Sequence, residues 1–184
     1  MIPDSGLQEF RTSLRGQLLL PDDSGYDEAR KIHNAMIDRH PALIARCAGV
    51  ADAIAAVKFA RQHGVLVSVR GAGHNVAGSS VCDGGLVIDL SRMKGVRVDP
   101  AARTARVEPG VTWAEFAHEL QSFGLAATGG YVGTTGVAGL TLGGGLGWMV
   151  RKHGLALDNL LSADVVTAEG RLLTASSTQH EDLF

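Results

Sequence analysis

Twenty-four glycines stand among 184 residues, and ten of them fall between Gly124 and Gly147. That is about 13% of the chain, against a usual level near 7%. Crowding of this kind limits what the chain can fold into. Each glycine weakens a helix or strand interior, yet frees the backbone to turn tightly or to approach another group closely. No period of three runs through the cluster, which excludes a collagen-like rod. Leu, Val, Thr and Trp are interleaved with the glycines, which excludes a plain flexible linker.

The remaining composition is that of a globular chain, 45% hydrophobic and 20% charged. Its length suits one good-sized domain or two small ones. The formal net charge of −2 provides no basic footprint, so nucleic acid is not an expected partner. No apolar run approaches the roughly 18 residues of a membrane span, and no membrane association is expected. The start, Met1-Ile2-Pro3-Asp4-Ser5, lacks the charged and apolar stretches of a secretory signal. Cys47 and Cys82 are too few and too far apart for a disulfide scaffold or a zinc knuckle. A reducing, cytoplasmic address is the expectation.

Periodicity and breakers divide the chain into short elements. The first forty residues read as helix, short strand, helix, the second helix opening at Asp27-Glu28 and carrying Ala29, Ile32, Met36 and Ile37 as far as Pro41. Residues 41–71 read as a β-α-β unit: strand 42–47, a helix with Val50, Ala53, Ile54, Val57 and Ala60 on one face ending at Gly64, and strand 65–69. Two parallel strands follow from that order. Another strand spans 86–90, and hairpins are expected at 96–108 and 160–174. Thr112 and Glu115 make a capping box for a helix with Trp113, Phe116, Ala117, Leu120 and Phe123, closed by Gly124. Thr178 and Glu181 announce another helix start. With scarcely one turn left before Phe184, the spacing predicts that the natural chain continues. Mixed strands with few helices between them indicate an α+β fold.

Two segments carry candidate chemistry. In the first, Arg70-Gly71-Ala72-Gly73-His74-Asn75 leaves a strand and enters a loop of small residues. Successive N–H groups in such a loop can converge on an anion. A tight surface turn with a solvated His74 is an equal reading. Val76 stands where the dinucleotide fingerprint needs glycine, and the Gly-Lys-Ser/Thr ending of a P-loop is missing. In the second, Gly129 to Gly139 could add further N–H groups and the hydroxyls of Thr134 and Thr135, and Thr141 to Trp148 follows at once. Two glycine clusters able to meet in space suit a long ligand carrying a pyrophosphate. No His or Cys pair has metal spacing. Gly78-Ser79-Ser80-Val81 does not match a nucleophile elbow. Cys82 reads as a small buried residue, and Arg151-Lys152-His153 as a solvated face or a phosphate neighbour. Asp158-Asn159 reads as a turn opening the next strand, or as a ribose or adenine contact.

Taken together, Arg70–Asn75, Gly85–Ser91 and Thr141–Asn159 resemble the FAD-linked oxidases of the p-cresol methylhydroxylase and vanillyl-alcohol oxidase superfamily, most closely its berberine bridge enzyme-like branch. The likeness runs from about Gly25 to Phe184. It implies an FAD-binding α+β unit of two subdomains, here about 27–92 and 93–184. It implies covalent attachment of FAD to His74, with Arg70, Gly71, Ala72, Gly73 and Asn75 in the pyrophosphate loop. Gly133, Thr134, Thr135, Gly136, Gly139, Gly143, Gly144 and Gly145 match a second flavin-binding stretch, and Asp158, Asn159 and Val165 the adenosine end. Some relatives attach the flavin a second time through a cysteine four residues before the position of Gly136. Val132 stands there, so single attachment is expected. The resemblance also implies oxidation of an alcohol, amine or related small-molecule donor by hydride transfer to flavin, with O₂ as acceptor. The base comes from a substrate domain expected after Phe184, so no catalytic residue is assigned and residues 1–184 alone are expected to be inactive. A non-catalytic FAD- or nucleotide-binding fragment is the alternative.

Overall fold

Leu86-Val87-Ile88-Asp89 is buried on both faces, and a strand of that kind belongs in the middle of a sheet. In the computed structural model, which describes residues 3–184, it is the inner strand β4 (Leu86–Asp89) of a four-stranded sheet. The order is β1-β2-β4-β3, with β1 (Gln17–Leu19), β2 (Leu43–Arg46) and β3 (Val67–Arg70). Both β2 and β3 run parallel to β4, in registers Leu43↔Leu86 and Val67↔Leu86, and β1 is antiparallel to β2. The expected β-α-β unit is present, with helix α3 (Val50–His63) as its crossover. Its two strands do not touch, because the more apolar β4 slots between them.

Helix α1 (Asp4–Ser13) and α3 cover one face of the sheet, where Phe10, Leu43, Ala45, Phe59, Leu86 and Ile88 are buried together. The Phe10 and Phe59 rings stack at 4.1 Å. Ile44 and Val87 point to the opposite face and meet Leu19, Tyr26 and Ala29. A third core lies in the second half. Hairpin β5 (Val96–Asp99) and β6 (Thr104–Val107) packs on helix α4 (Trp113–Gln121), whose Trp113, Phe116 and Leu120 bury with Val111, Val137 and Ala156. The Thr112–Glu115 capping box forms as its spacing predicts, Glu115 Oε2 accepting the Thr112 N–H at 2.7 Å. Phe123 lies past the helix end and is 48% exposed, so it is not part of the buried face. The last hairpin, β7 (Ser162–Val166) and β8 (Leu172–Ser176), returns to pack on α3.

Two expected helices do not form as drawn. The one drawn over 27–40 is a single short helix, α2 (Tyr26–Arg30), and residues 31–40 form an irregular strap. Tertiary contacts override the helical spacing. The Arg70 guanidinium takes the carbonyls of Ala29 and Lys31, and the His33 N–H donates to Gly73 O at 3.1 Å, so these groups leave the helical ladder. Thr178 and Glu181 make no box either. Thr178 N–H donates to Ser176 Oγ at 3.3 Å, and a single turn is closed onto His180 O by Leu183 and Phe184.

The glycine belt is ordered and contains two short helices, α5 (Val137–Leu142) and α6 (Val150–His153). Its glycines differ in what they allow. A Cβ on Gly147 would lie 1.5 Å from the carbonyl oxygen of Gly129, whereas nothing stands within 4 Å of a Cβ on Gly139. Gly147→Ala is therefore expected to cost about 3 kcal/mol or more by overpacking against backbone. Gly139→Ala is expected to be neutral or to stabilise by up to about 1 kcal/mol, as alanine replaces glycine in a helix. Urea unfolding of the two variants checks the difference.

Candidate functional site

Arg70 and Asp89 sit opposite each other at the ends of β3 and β4. Their side chains are 8% and 0% exposed, and they pair in a fork: Nε to Oδ1 at 3.2 Å and Nη2 to Oδ2 at 2.5 Å. Burial by itself pushes the Asp89 carboxyl up. The Arg70 hydrogen bonds and charge, together with the Ser91 hydrogen bonds, outweigh it and hold the group below the usual carboxylate range. Arg46 Nε approaches the same carboxylate at 3.5 Å. Burial, then the charge of Arg92, lowers Arg46 from its ordinary value. Two guanidiniums thus stand at one carboxylate, which leaves this end of the sheet with net positive charge, while Glu28 beside it is paired with Lys31. An open cleft of about 380 Å³ lies here, lined in part by Gly25, Lys31, Arg46, Arg70, Gly71 and Ser91.

Beyond Arg70 the chain turns away from the sheet. From Gly71 through Ala77 no backbone N–H has an acceptor among the described residues. Unpaired N–H groups in series are what an anion-binding concavity requires. Gly73, at φ +73°, adopts the left-handed conformation that lets the loop reverse. Asn75 is exposed and its Oδ1 accepts the Ser79 N–H at 3.0 Å.

The second glycine segment comes to this loop. A Cβ on Gly136 would meet the Ala72 Cβ at 3.0 Å and the Ala72 nitrogen at 3.2 Å, so the two backbones touch because neither carries more bulk. Thr135 Oγ1 lies 3.4 Å from His74 Nδ1, a hydrogen bond whose direction follows the imidazole tautomer. His74 is half-buried, and burial first, then the charge of His33, lowers its pKa from the ordinary histidine value. Gly133 packs against Ala114, and the Thr135 carbonyl accepts the Trp113 N–H at 2.9 Å, so α4 holds the loop in place. Thr134 and Gly139 are exposed beside it.

The other expected site residues lie further along the belt. Gly143 ends α5, and the carbonyls of Gly144 and Gly145 accept the N–H groups of Leu157 and Ala156, both at 2.9 Å. Asp158 Oδ2 accepts the Leu155 N–H at 2.8 Å, and Asn159 Nδ2 donates to Thr128 Oγ1 and to the carbonyls of His153 and Leu155. Both side chains are engaged in closing the 153–159 turn. Val165 is half-buried in β7 opposite Leu173. Arg151, Lys152 and His153 are exposed on α6. Four parts of the neighbourhood escaped the sequence reading: Asp89, Arg46, His33 and the strap. For Asp89 a signal existed, a lone carboxylate closing an apolar strand with an arginine closing its neighbour.

Among the described residues no group of three His, Cys, Asp or Glu is placed to hold a metal, and no helix is long and apolar enough to cross a membrane. A family model described as an FAD binding domain matches residues 41–176. The chain is 40% identical to (R)-6-hydroxynicotine oxidase of Paenarthrobacter nicotinovorans over 172 residues, which is 94% of this chain and 38% of that protein. Its fold superposes on BBE-like 1 of Physcomitrella patens with a TM-score of 0.92 at 33% identity, covering 96% of this chain and 39% of that one. It superposes on the xylooligosaccharide oxidase of Myceliophthora thermophila, solved with xylobiose, with a TM-score of 0.90 at 35% identity, covering 97% and 38%. The chain thus spans about two-fifths of the length of these relatives.

Removing Asp89 would strand the Arg70 charge in the interior. Asp89→Ala is expected to lose about 3–5 kcal/mol, the usual cost of breaking a buried pair from one side. Because the folded carboxyl titrates below its unfolded value of about 3.9, its contribution is complete above that pH and is lost as pH falls through the folded value. Chemical unfolding at neutral and acid pH checks both points. The variant's stability should lack the wild type's Asp89-dependent decline on acidification.

Proposed function

The chain belongs to the FAD binding domain family, among the FAD-linked oxidases of the p-cresol methylhydroxylase and vanillyl-alcohol oxidase superfamily, and from this we propose that it holds FAD for the oxidation of a small-molecule donor. The observation that carries the reading is the meeting of two glycine loops at Ala72 and Gly136, with the N–H groups from Gly71 to Ala77 left without acceptors. Those groups and the positive charge beside them fit the pyrophosphate of FAD. A Cβ at Gly71 would also lie 2.8 Å from the Pro109 carbonyl, so the loop backbone is held close against its support.

His74 is the attachment point of the flavin, with Thr135 at its edge. Gly133, Thr134, Gly136, Gly139 and the Gly143–Gly145 turn line the cofactor's path, and Asp158, Asn159 and Val165 stand toward its adenosine end. Tyr131, Val132, Leu142, Leu146 and Trp148 are exposed beside the second loop, Tyr131 and Trp148 edge to face at 4.7 Å. An apolar face of that size suits cover by the flat flavin and by further protein. Subdomains of about 27–92 and 93–184 flank the cofactor.

Bound FAD supplies the hydride acceptor, and the protein supplies placement and electrostatics. The donor is an alcohol, an amine or a related small molecule, with O₂ as final acceptor. (R)-6-hydroxynicotine oxidase and xylooligosaccharide oxidase illustrate by their names how widely the donors of relatives differ. Cys47 and Cys82 are both free and buried, a state that accords with a reducing cytoplasm.

Attachment provides the test. The full-length protein is expected to keep its yellow colour through acid precipitation, and His74→Ala to release its flavin while remaining folded. Release of all flavin by wild type contradicts covalent attachment. In a peptide map the flavin should sit on the His74 peptide alone, with none on the peptide containing Val132, which has no sulfur to form a thioether. Bleaching of the flavin by a donor supports an oxidase, and a yellow protein inert to every donor supports the non-catalytic alternative.

A further inference from the structure

The strap 31–40 brings a second imidazole onto the first. His33 and His74 stack with ring centroids 3.9 Å apart and planes 15° from parallel. Hydrogen bonds to the loop backbone fix the contact at His33 and at its neighbour Asn34. Its own N–H donates to Gly73 O at 3.1 Å, and Asn34 Nδ2 donates to Val76 O at 2.9 Å. Upstream, the Ala29 and Lys31 carbonyls are held by Arg70. His74 is thereby gripped on a face by His33 and at an edge by Thr135 Oγ1.

The His33 side chain belongs to no core cluster and the residue is exposed, so burial of apolar surface does not account for its place. Two imidazoles this close cannot both hold a proton without repulsion, and the charge of His33 adds to burial in lowering His74. The other charges near the loop are committed elsewhere. Arg70 is paired with Asp89 and Lys31 with Glu28, while Asn75 and Thr135 carry no charge. His33 is the titratable neighbour whose charge acts on His74.

We propose that His33 is a positioning residue for flavin attachment: its ring, stacked on the His74 imidazole, fixes the plane in which that imidazole meets the flavin. The role rests on the reading of His74 as the attachment point. In the step it serves, an unprotonated His74 nitrogen bonds to the 8α-carbon of the flavin. That carbon gives up one proton and the imidazole gives up its N–H proton. The electron pair of the broken C–H bond reduces the flavin, which takes up both protons. Dioxygen then accepts two electrons and two protons and leaves as hydrogen peroxide, and the oxidised flavin remains attached.

The experiment mixes flavin-free full-length protein with FAD in air, quenches with acid at intervals, and measures denaturation-resistant flavin across the imidazole range of about pH 5 to 8. H33A is expected to bind FAD reversibly as wild type does but to attach it about tenfold or more slowly, as expected for a misplaced nucleophile. H33F restores the flat stack and most of the rate. Without the His33 charge beside it His74 protonates more readily, so the acid limb of the H33F profile moves to higher pH. An H33A rate equal to wild type overturns the proposal, as does an H33F acid limb that stays in place. Attachment that persists in His74→Ala, or wild type that binds FAD and never fixes it, overturns instead the reading on which the proposal rests.

Discussion

The fork between Arg70 and Asp89 is the contact on which the site depends. It joins the ends of two parallel strands at the point where the backbone must leave the sheet, and the Leu90 N–H to Arg70 O bond at 2.8 Å is the last rung beside it. The same guanidinium reaches the carbonyls of Ala29 and Lys31, so one side chain sets both the start of the glycine loop and the course of the strap. Burying such a pair has a desolvation cost that can cancel its attraction. Its value lies in register. With the fork closed, the loop from Gly71 begins at a defined place and direction.

Close approach is the second constraint, and it explains why the glycines are where they are. Gly136 meets Ala72 across the two loops, Gly147 meets the Gly129 backbone, and a Cβ on Gly129 would enter the Trp113 ring. The belt is therefore a packed layer that α4 and its capping box hold against the first loop. Of its glycines, some are needed for packing and others, such as Gly139, leave space beside the backbone. Polar backbone without protein partners persists only where water or a ligand satisfies it. The row from Gly71 to Ala77 is such a place.

Much of this was legible in the sequence, and the exceptions have physical causes. Strands β2, β3 and β4, helix α3 with its stop at Gly64, the Thr112–Glu115 box and both hairpins follow from local pattern and appear within a residue or two of their expected bounds. The meeting of the two glycine loops was also foreseeable from their density. The strap was not, because Ala29, Ile32, Met36 and Ile37 have helical spacing while Arg70, forty residues away, claims the carbonyls that a helix would use. Thr178 and Glu181 have the residues of a box without a helix body to reward it. Asp158 and Asn159, by contrast, read as a turn before the next strand and do close that turn. Position of β4 between β2 and β3 is a long-range pairing that local periodicity does not encode.

Under the proposed function, the N–H groups following Arg70 are held ready for the anionic part of FAD. Amide hydrogen exchange on the full-length protein, with and without saturating FAD, reads those groups directly. Marked slowing of exchange in the Gly71–Ala77 segment on FAD addition is the expected result, together with slowing in the Gly133–Gly136 loop that touches it. Exchange in Gly71–Ala77 that is unchanged while FAD is bound would contradict the account.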